Sequence, residues 1–206
     1  MFCGDQQRIA QYATTDLKKI MEDWCVLHDG EFTGGKMREC RGTGIEDLVI
    51  KIIQRIASRL QIDLVAKKGK FDKKKLVVPE NHLIHKLHQV DVHVYLNRSL
   101  VAVVECKSYL DSCYYVRACE DFELFKKFGY PVKTVIFSLE DSMDEKTKQF
   151  TDFWKNNVCD EVFYMLDGKR SSSKPIYRRQ YTKEPREEKM MRFVSFLVDL
   201  VGHSSS

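Results

Sequence analysis

Apolar residues recur along this chain at two periods, and the switch between them divides it into helices and strands. Ile9, Tyr12, Leu17, Ile20 and Trp24 mark the apolar side of a helix over residues 5–27. Gly42-Thr43-Gly44 breaks the chain, and Ile45, Leu48, Val49, Ile52, Ile53, Ile56 and Leu60 then repeat at helical spacing. Residues 61–66 read as a short strand and 67–88 as a polar excursion. Val90, Val92, Val94 and Leu96 alternate with Asp91, His93 and Tyr95, the period of two of a strand. From Leu100 the chain is apolar until Glu105, as in a strand buried on both faces. A helix over about 114–128 ends at Gly129, ahead of Pro131. A strand at 132–138, a helix at 144–156 and a strand at 158–166 follow. After a polar loop, a helix over 185–201 is apolar almost all round. This order predicts an α/β fold with a mixed β-sheet flanked by helices.

Three charges interrupt the apolar hairpin: Asp91, Glu105 and Lys107. With Asn97-Arg98-Ser99 as a three-residue loop, Leu96 pairs with Leu100 and Asp91 falls directly opposite Glu105. Glu105 and Lys107 are two apart and share a face. A slip of one residue would send the two acids to opposite faces. Two carboxylates this close repel unless a cation or proton lies between them, and carboxylate oxygens suit Mg²⁺. Geometry alone leaves two readings open: a centre for a divalent metal and a phosphodiester, or a cross-strand ion pair at a sheet edge.

Val90-Asp91, a 13-residue gap and then Glu105-Cys106-Lys107 resembles the PD-(D/E)xK nuclease motif. Val101 to Ser108 is most similar to the third strand of type II restriction endonucleases. The resemblance implies a restriction-endonuclease-like fold, with a helix-strand-strand-strand-helix-strand core. It implies that Asp91 and Glu105 ligate Mg²⁺, with the main-chain carbonyl of Cys106 as a further ligand, and that Lys107 serves the attacking water. Val90 stands where the family has proline, a position that shapes the strand and carries no chemistry. The family also has an acid on the helix before the sheet, pointing at the metal. Glu46 borders the buried stripe of its helix, whereas Asp47 is turned by roughly 100° from it, so Glu46 is the favoured fourth acid. Both also fit a first helical turn, where the macrodipole favours acids.

At 206 residues the chain fits one domain, with an N-terminal helix and glycine-rich loop over 1–43, a catalytic core over 44–166, and a basic loop and C-terminal helix over 167–206. The start lacks a signal-peptide pattern, and no run approaches the ~20 apolar residues of a membrane span. Seven cysteines, without a CxxC pair, point to a reducing, cytoplasmic compartment.

Net charge is only +4, but the basic residues cluster. Residues 66–75 hold six lysines, among them Lys73, Lys74 and Lys75, against one aspartate. Residues 167–183 hold Lys169, Arg170, Lys174, Arg178, Arg179 and Lys183 against one acid, with Tyr177 and Tyr181 interleaved. Such clusters neutralise DNA phosphates, and arginine reads guanine edges; solvated surface loops are the competing reading.

Other candidates fall short. Residues 30–37 nearly spell a phosphate-binding loop, but Met37 replaces the metal-binding hydroxyl and no strand precedes it, so no nucleotide cofactor is expected. His82, His85 and His88 are spaced three apart but lack a fourth ligand. His93 shares the face of Asp91, and the Cys106 side chain reads as core.

The leading reading is a type II restriction endonuclease acting on double-stranded DNA as a homodimer. A repair or recombination nuclease of the same fold, and a DNA-binding module that does not cut, are the alternatives. The dimer surface is expected at residues 189–201, because an all-round apolar terminal helix needs a second covering; the first helix is the weaker candidate.

Overall fold

The computed structural model describes residues 3–29, 34–78, 81–147, 149 and 158–202, with the backbone alone at 3, 29, 34–38, 77, 78 and 81–85. Four helices are described: α1 (Cys3–Asp29), α2 (Gly34–Leu60), α3 (Ser112–Lys127) and α4 (Glu187–Gly202). Seven strands accompany them: β1 (Leu64–Lys68), β2 (Lys74–Val78), β3 (Asn81–His88), β4 (Val92–Leu96), β5 (Ser99–Leu110), β6 (Lys133–Asp141) and β7 (Glu161–Tyr164).

Five strands form one mixed sheet in the order β1-β4-β5-β6-β7. β1, β4 and β5 run antiparallel to their neighbours, whereas β5, β6 and β7 are parallel. The parallel step from β5 to β6 needs a crossover, and α3 supplies it. Alternation along β5 sorts its side chains between two cores. Ala102, Val104 and Cys106 join α1, α2 and α4 on one face, and Val103 joins Tyr115, Phe122 and Phe125 of α3 on the other. The larger of these, such as Val103, Val104, Phe122 and Phe125, each contribute about 1.5–3 kcal/mol when fully buried.

Several expected elements are corrected. The glycines at 42 and 44 do not break the chain; α2 runs straight through them. A helical glycine costs about 1 kcal/mol relative to alanine, and packing against α1 outweighs it. At Gly44 a Cβ would stand 3.2 Å from Ile20 Cγ2 and 3.6 Å from the Trp24 ring, so the bare backbone lets α1 close in. Glu46 is therefore mid-helix, and the first-turn dipole argument for it lapses. The polar excursion at 67–88 is instead a 3-10 turn at Gly69–Phe71 followed by the antiparallel β2–β3 hairpin. The helix expected at 144–156 lies largely outside the described residues, and of the near phosphate-binding loop at 30–37 only 34–37 are described, as the first turn of α2.

The β4–β5 hairpin differs from expectation in a way that cancels. Its loop has two residues, Asn97 (φ 50°) and Arg98 (φ 68°), with Leu96 opposite Ser99. Positive φ at both positions is what a two-residue turn matching the strand twist requires. A register shift follows between Val94 and Tyr95, leaving Val101 as the extra residue of a bulge. Beyond it Val94 pairs with Ala102 and Val92 with Val104, the expected register, and the ladder ends there, one residue short of Asp91.

In α4, Met190, Phe193, Val194 and Leu197 are buried, while Met191, Phe196, Val198, Leu200 and Val201 pack partly buried against the same core. Much of the second apolar face is thus covered within the chain.

Candidate active site

β5 outruns β4. The ladder stops at Val92–Val104, and Asp91 bends away just before β4 begins. The next β5 donor on that side is the Cys106 N–H, which donates to Asp91 Oδ2 at 2.8 Å. A side-chain carboxylate thus takes the place of the missing strand, because a buried N–H must find a partner. In an extended strand the N–H and C=O of one residue point to the same side, so the Cys106 carbonyl faces that open end as well. The Cys106 thiol is buried with the core, and burial followed by the Asp91, Glu105 and Glu46 charges pushes it up.

Glu105 is buried at mid-strand, and Lys107 bridges the acids. Its Nζ donates to Glu105 Oε1 and lies 3.6 Å from Asp91 Oδ2. Burial pushes the Glu105 carboxyl up and the Asp91 charge adds to this; Lys107 opposes, and the net is a rise to about 7. Burial would strip the Lys107 proton, but the Glu105 and Asp91 charges outweigh it and hold the ammonium. Lys107 is therefore a donor here.

Glu46 approaches from α2. Burial and then the Asp91 charge raise its carboxyl, against Lys68 and Lys70. Asp47 turns away, half exposed, and pairs with Lys68 Nζ at 2.6 Å, whereas Glu46 Oε2 is 3.7 Å from the same ammonium. Asp91, Glu105 and Lys107 are thus brought together, and Glu46 stands within electrostatic reach of Asp91. Among the described residues no three His, Cys, Asp or Glu side chains gather closely as a metal cage. Mg²⁺ requires less, being held by one or two carboxylates plus waters and phosphate oxygens. Two carboxylates whose only bridging charge is a lysine, beside an unladdered carbonyl, fit that requirement.

Sequence reasoning missed what holds Asp91 in place. Val90 N–H donates to His93 Nε2 at 3.3 Å, so the ring hydrogen sits on Nδ1, which donates to Asp72 Oδ2 at 3.1 Å. Tyr95 OH donates to the same oxygen and Lys74 Nζ to Oδ1 at 3.0 Å. Burial would raise Asp72, but these hydrogen bonds hold it below the usual carboxylate range. His93 is fully buried and shifted down by that burial, so it braces the Val90–Asp91 bend as a neutral ring. From the other side Gly69 N–H donates to Asp91 O at 2.9 Å. A Cβ on Gly69 would meet Val90 O at 1.7 Å, so only glycine fits there. A further acid, Asp121 of α3, adds its charge to Glu105 and pairs with His88 Nε2 at 3.5 Å. The His82 and His85 side chains are not described.

The expected DNA-contact residues are less uniformly placed. Lys73 and Lys75 are exposed, but Lys74 turns inward to Asp72 and the Tyr95 ring. In the second cluster Lys183 pairs with Glu140 at 2.6 Å and donates to Lys169 O, while Lys169 reaches Met143 O and Glu145. Arg170 stacks 3.6 Å over the Tyr109 ring, two residues beyond Lys107 on β5. Lys174, Arg178 and Arg179 are exposed, Arg179 beside Glu22 and Asp23 of α1. Tyr177 packs against His28 and Arg41.

No protein-family model matches the chain. Among curated proteins, the type II restriction enzyme DdeI of Desulfomicrobium norvegicum is 25% identical to it over 121 residues. That stretch covers 52% of this chain and 50% of the enzyme, so the match spans about half the length of each. The likeness is distant and partial.

Proposed function

We propose that the protein is a divalent-metal-dependent endonuclease of the type II restriction class, hydrolysing phosphodiester bonds in double-stranded DNA. The observation that carries the reading is the open end of the β4–β5 ladder, where Asp91 and Glu105 converge on Lys107. The partial likeness to a type II restriction enzyme supports the same class.

Asp91, Glu105 and the Cys106 carbonyl would hold Mg²⁺, with Glu46 reaching it from α2. A cation held by these residues would supply Lewis-acid chemistry to the scissile phosphate and lower the pKa of a bound water. Lys107, kept as an ammonium, orients the water and stabilises charge on the phosphoryl oxygens. Lys73 and Lys75 contact phosphates, and Arg170, Arg178 and Arg179 supply cations on the far side. One such centre cuts one strand; two copies related by a two-fold axis on a palindromic site cut both. Residues 189–201 of α4 are the proposed dimer surface, through the half-buried Met191, Phe196, Val198, Leu200 and Val201.

Digestion of defined plasmids with Mg²⁺ tests the reading. Discrete fragments with 5′-phosphate ends are expected. Absence of cutting in Mg²⁺ and Mn²⁺ overturns it, and strand nicking by a sedimenting monomer moves it to a repair or nicking nuclease.

A further inference from the structure

Phe71 is the most exposed large apolar side chain among the described residues, at 80%. Single exposed apolar residues are common on protein surfaces; what distinguishes Phe71 is that its backbone is fastened on both sides. Two residues before it, Gly69 is bonded to Asp91 O and packed on Val90 O. One residue after it, Asp72 returns its N–H to Gly69 O at 3.0 Å and its carboxylate to His93, Tyr95 and Lys74. The ring is thereby presented outward on a rigid turn. At most about 7 Å separates the Phe71 Cα from that of Gly69, whose N–H contacts Asp91.

The surroundings are cationic. Lys70 Nζ lies 5.0 Å from the ring centroid, and its charge is felt at Glu46. Lys73 and Lys75 are exposed beyond it. The acid nearest in sequence, Asp72, is consumed by its three partners. An exposed aromatic ring with one ammonium beside it and two more exposed lysines within four residues of sequence matches a nucleic-acid strand, whose bases offer π-faces and whose phosphates are anionic.

Resting on the nuclease reading, we propose that Phe71 is a stacking site for a nucleobase beside the scissile phosphate, with Lys70, Lys73 and Lys75 on the flanking phosphates. The ring enters an opened base step, and the fixed turn sets the distance from that step to Asp91. Aromatic wedges of this kind unstack a duplex locally.

Binding of the full chain to a labelled mixed-sequence duplex, measured over a range of salt with Ca²⁺ as the divalent cation, tests this. Phe71→Ala is expected to weaken binding about 10-fold or more while leaving the slope of log K against log salt unchanged. Lys73→Ala or Lys75→Ala lowers that slope by ~0.9 for each phosphate no longer neutralised. Phe71→Trp retains affinity, and its added tryptophan emission changes on DNA binding. Affinity of Phe71→Ala within two-fold of the parent, or a weakening that comes with a reduced slope, overturns the stacking site. If the parent cuts DNA and Phe71→Ala binds like it, the nuclease reading survives and this inference falls. If the parent binds in a Phe71-dependent way yet never cuts, the nuclease reading falls with the placement beside a scissile phosphate, and the stacking contact alone stands. If the parent binds no DNA, both fall.

Discussion

Asp91 owes its position to groups that do no chemistry. The bend at Val90–Asp91 is braced by the His93 ring from one side and the Gly69 backbone from the other, and Asp72 locks the ring through its Nδ1 hydrogen. Asp72→Ala leaves His93 without that partner and frees the bend that positions Asp91, while every proposed metal-binding residue is left unsubstituted. Loss of a partner that orients a ligand typically costs about 10–100-fold, so cleavage by Asp72→Ala should fall by that factor, with partial recovery in Asp72→Asn, which keeps an acceptor oxygen. Initial rates over a Mg²⁺ titration read this out, and a rate equal to the parent's would show that the bend needs no brace. The acids themselves are legible in sequence because period-two alternation places them on one face. The brace is not: Asp72 and His93 are 21 residues apart, and nothing in local pattern joins them.

Among the elements, α2 departs most from its sequence. Two glycines read as a break, yet tertiary packing on α1 carries the helix through both. The two positions differ in surroundings. Gly42 has nothing within 4 Å of a built Cβ, whereas Gly44 would crowd Ile20. Gly42→Ala should therefore gain roughly 0.5–1 kcal/mol from helix propensity, and Gly44→Ala should gain none or lose stability as α1 is pushed off. Urea denaturation distinguishes them; equal stabilisation by both would remove the close-approach role assigned to Gly44. The hairpin teaches a different lesson. A three-residue loop and a two-residue turn followed by a bulge reach the same register from Val94 to Val92. The register is legible from chemistry, since only one pairing unites the acids, whereas the turn depends on the backbone dihedrals of Asn97 and Arg98.

Across the whole molecule, Asp160 ties the layers together. Its carboxylate accepts from Thr134 N–H and Oγ1 on β6 and from Lys126 on α3, just before β7 begins. Burial alone would raise its pKa, but these hydrogen bonds outweigh it and depress the group. A depressed carboxylate contributes stability that is present above its unfolded pKa and lost as pH falls through the folded value. Asp160→Asn should thus cost on the order of 1–3 kcal/mol at neutral pH, and the gap from the parent should close below about pH 4. Thermal melts across pH 3–8 test it; a gap that stays constant with pH would assign the loss to packing. The mixed sheet and its flanking helices are legible from periodicity. The coverage of α4 by its own core is not, because an all-apolar helix reads the same whether a neighbouring helix or a second subunit covers it.

Whether the Asp91–Glu105–Lys107 cluster is a metal-dependent cutting centre is tested most directly by side-by-side plasmid digestion with the parent, Glu105→Ala and Lys107→Ala in Mg²⁺. The parent is expected to cut, neither variant should cut detectably, and both should keep the parent's circular dichroism spectrum. Undiminished cutting by either folded variant would contradict the assignment.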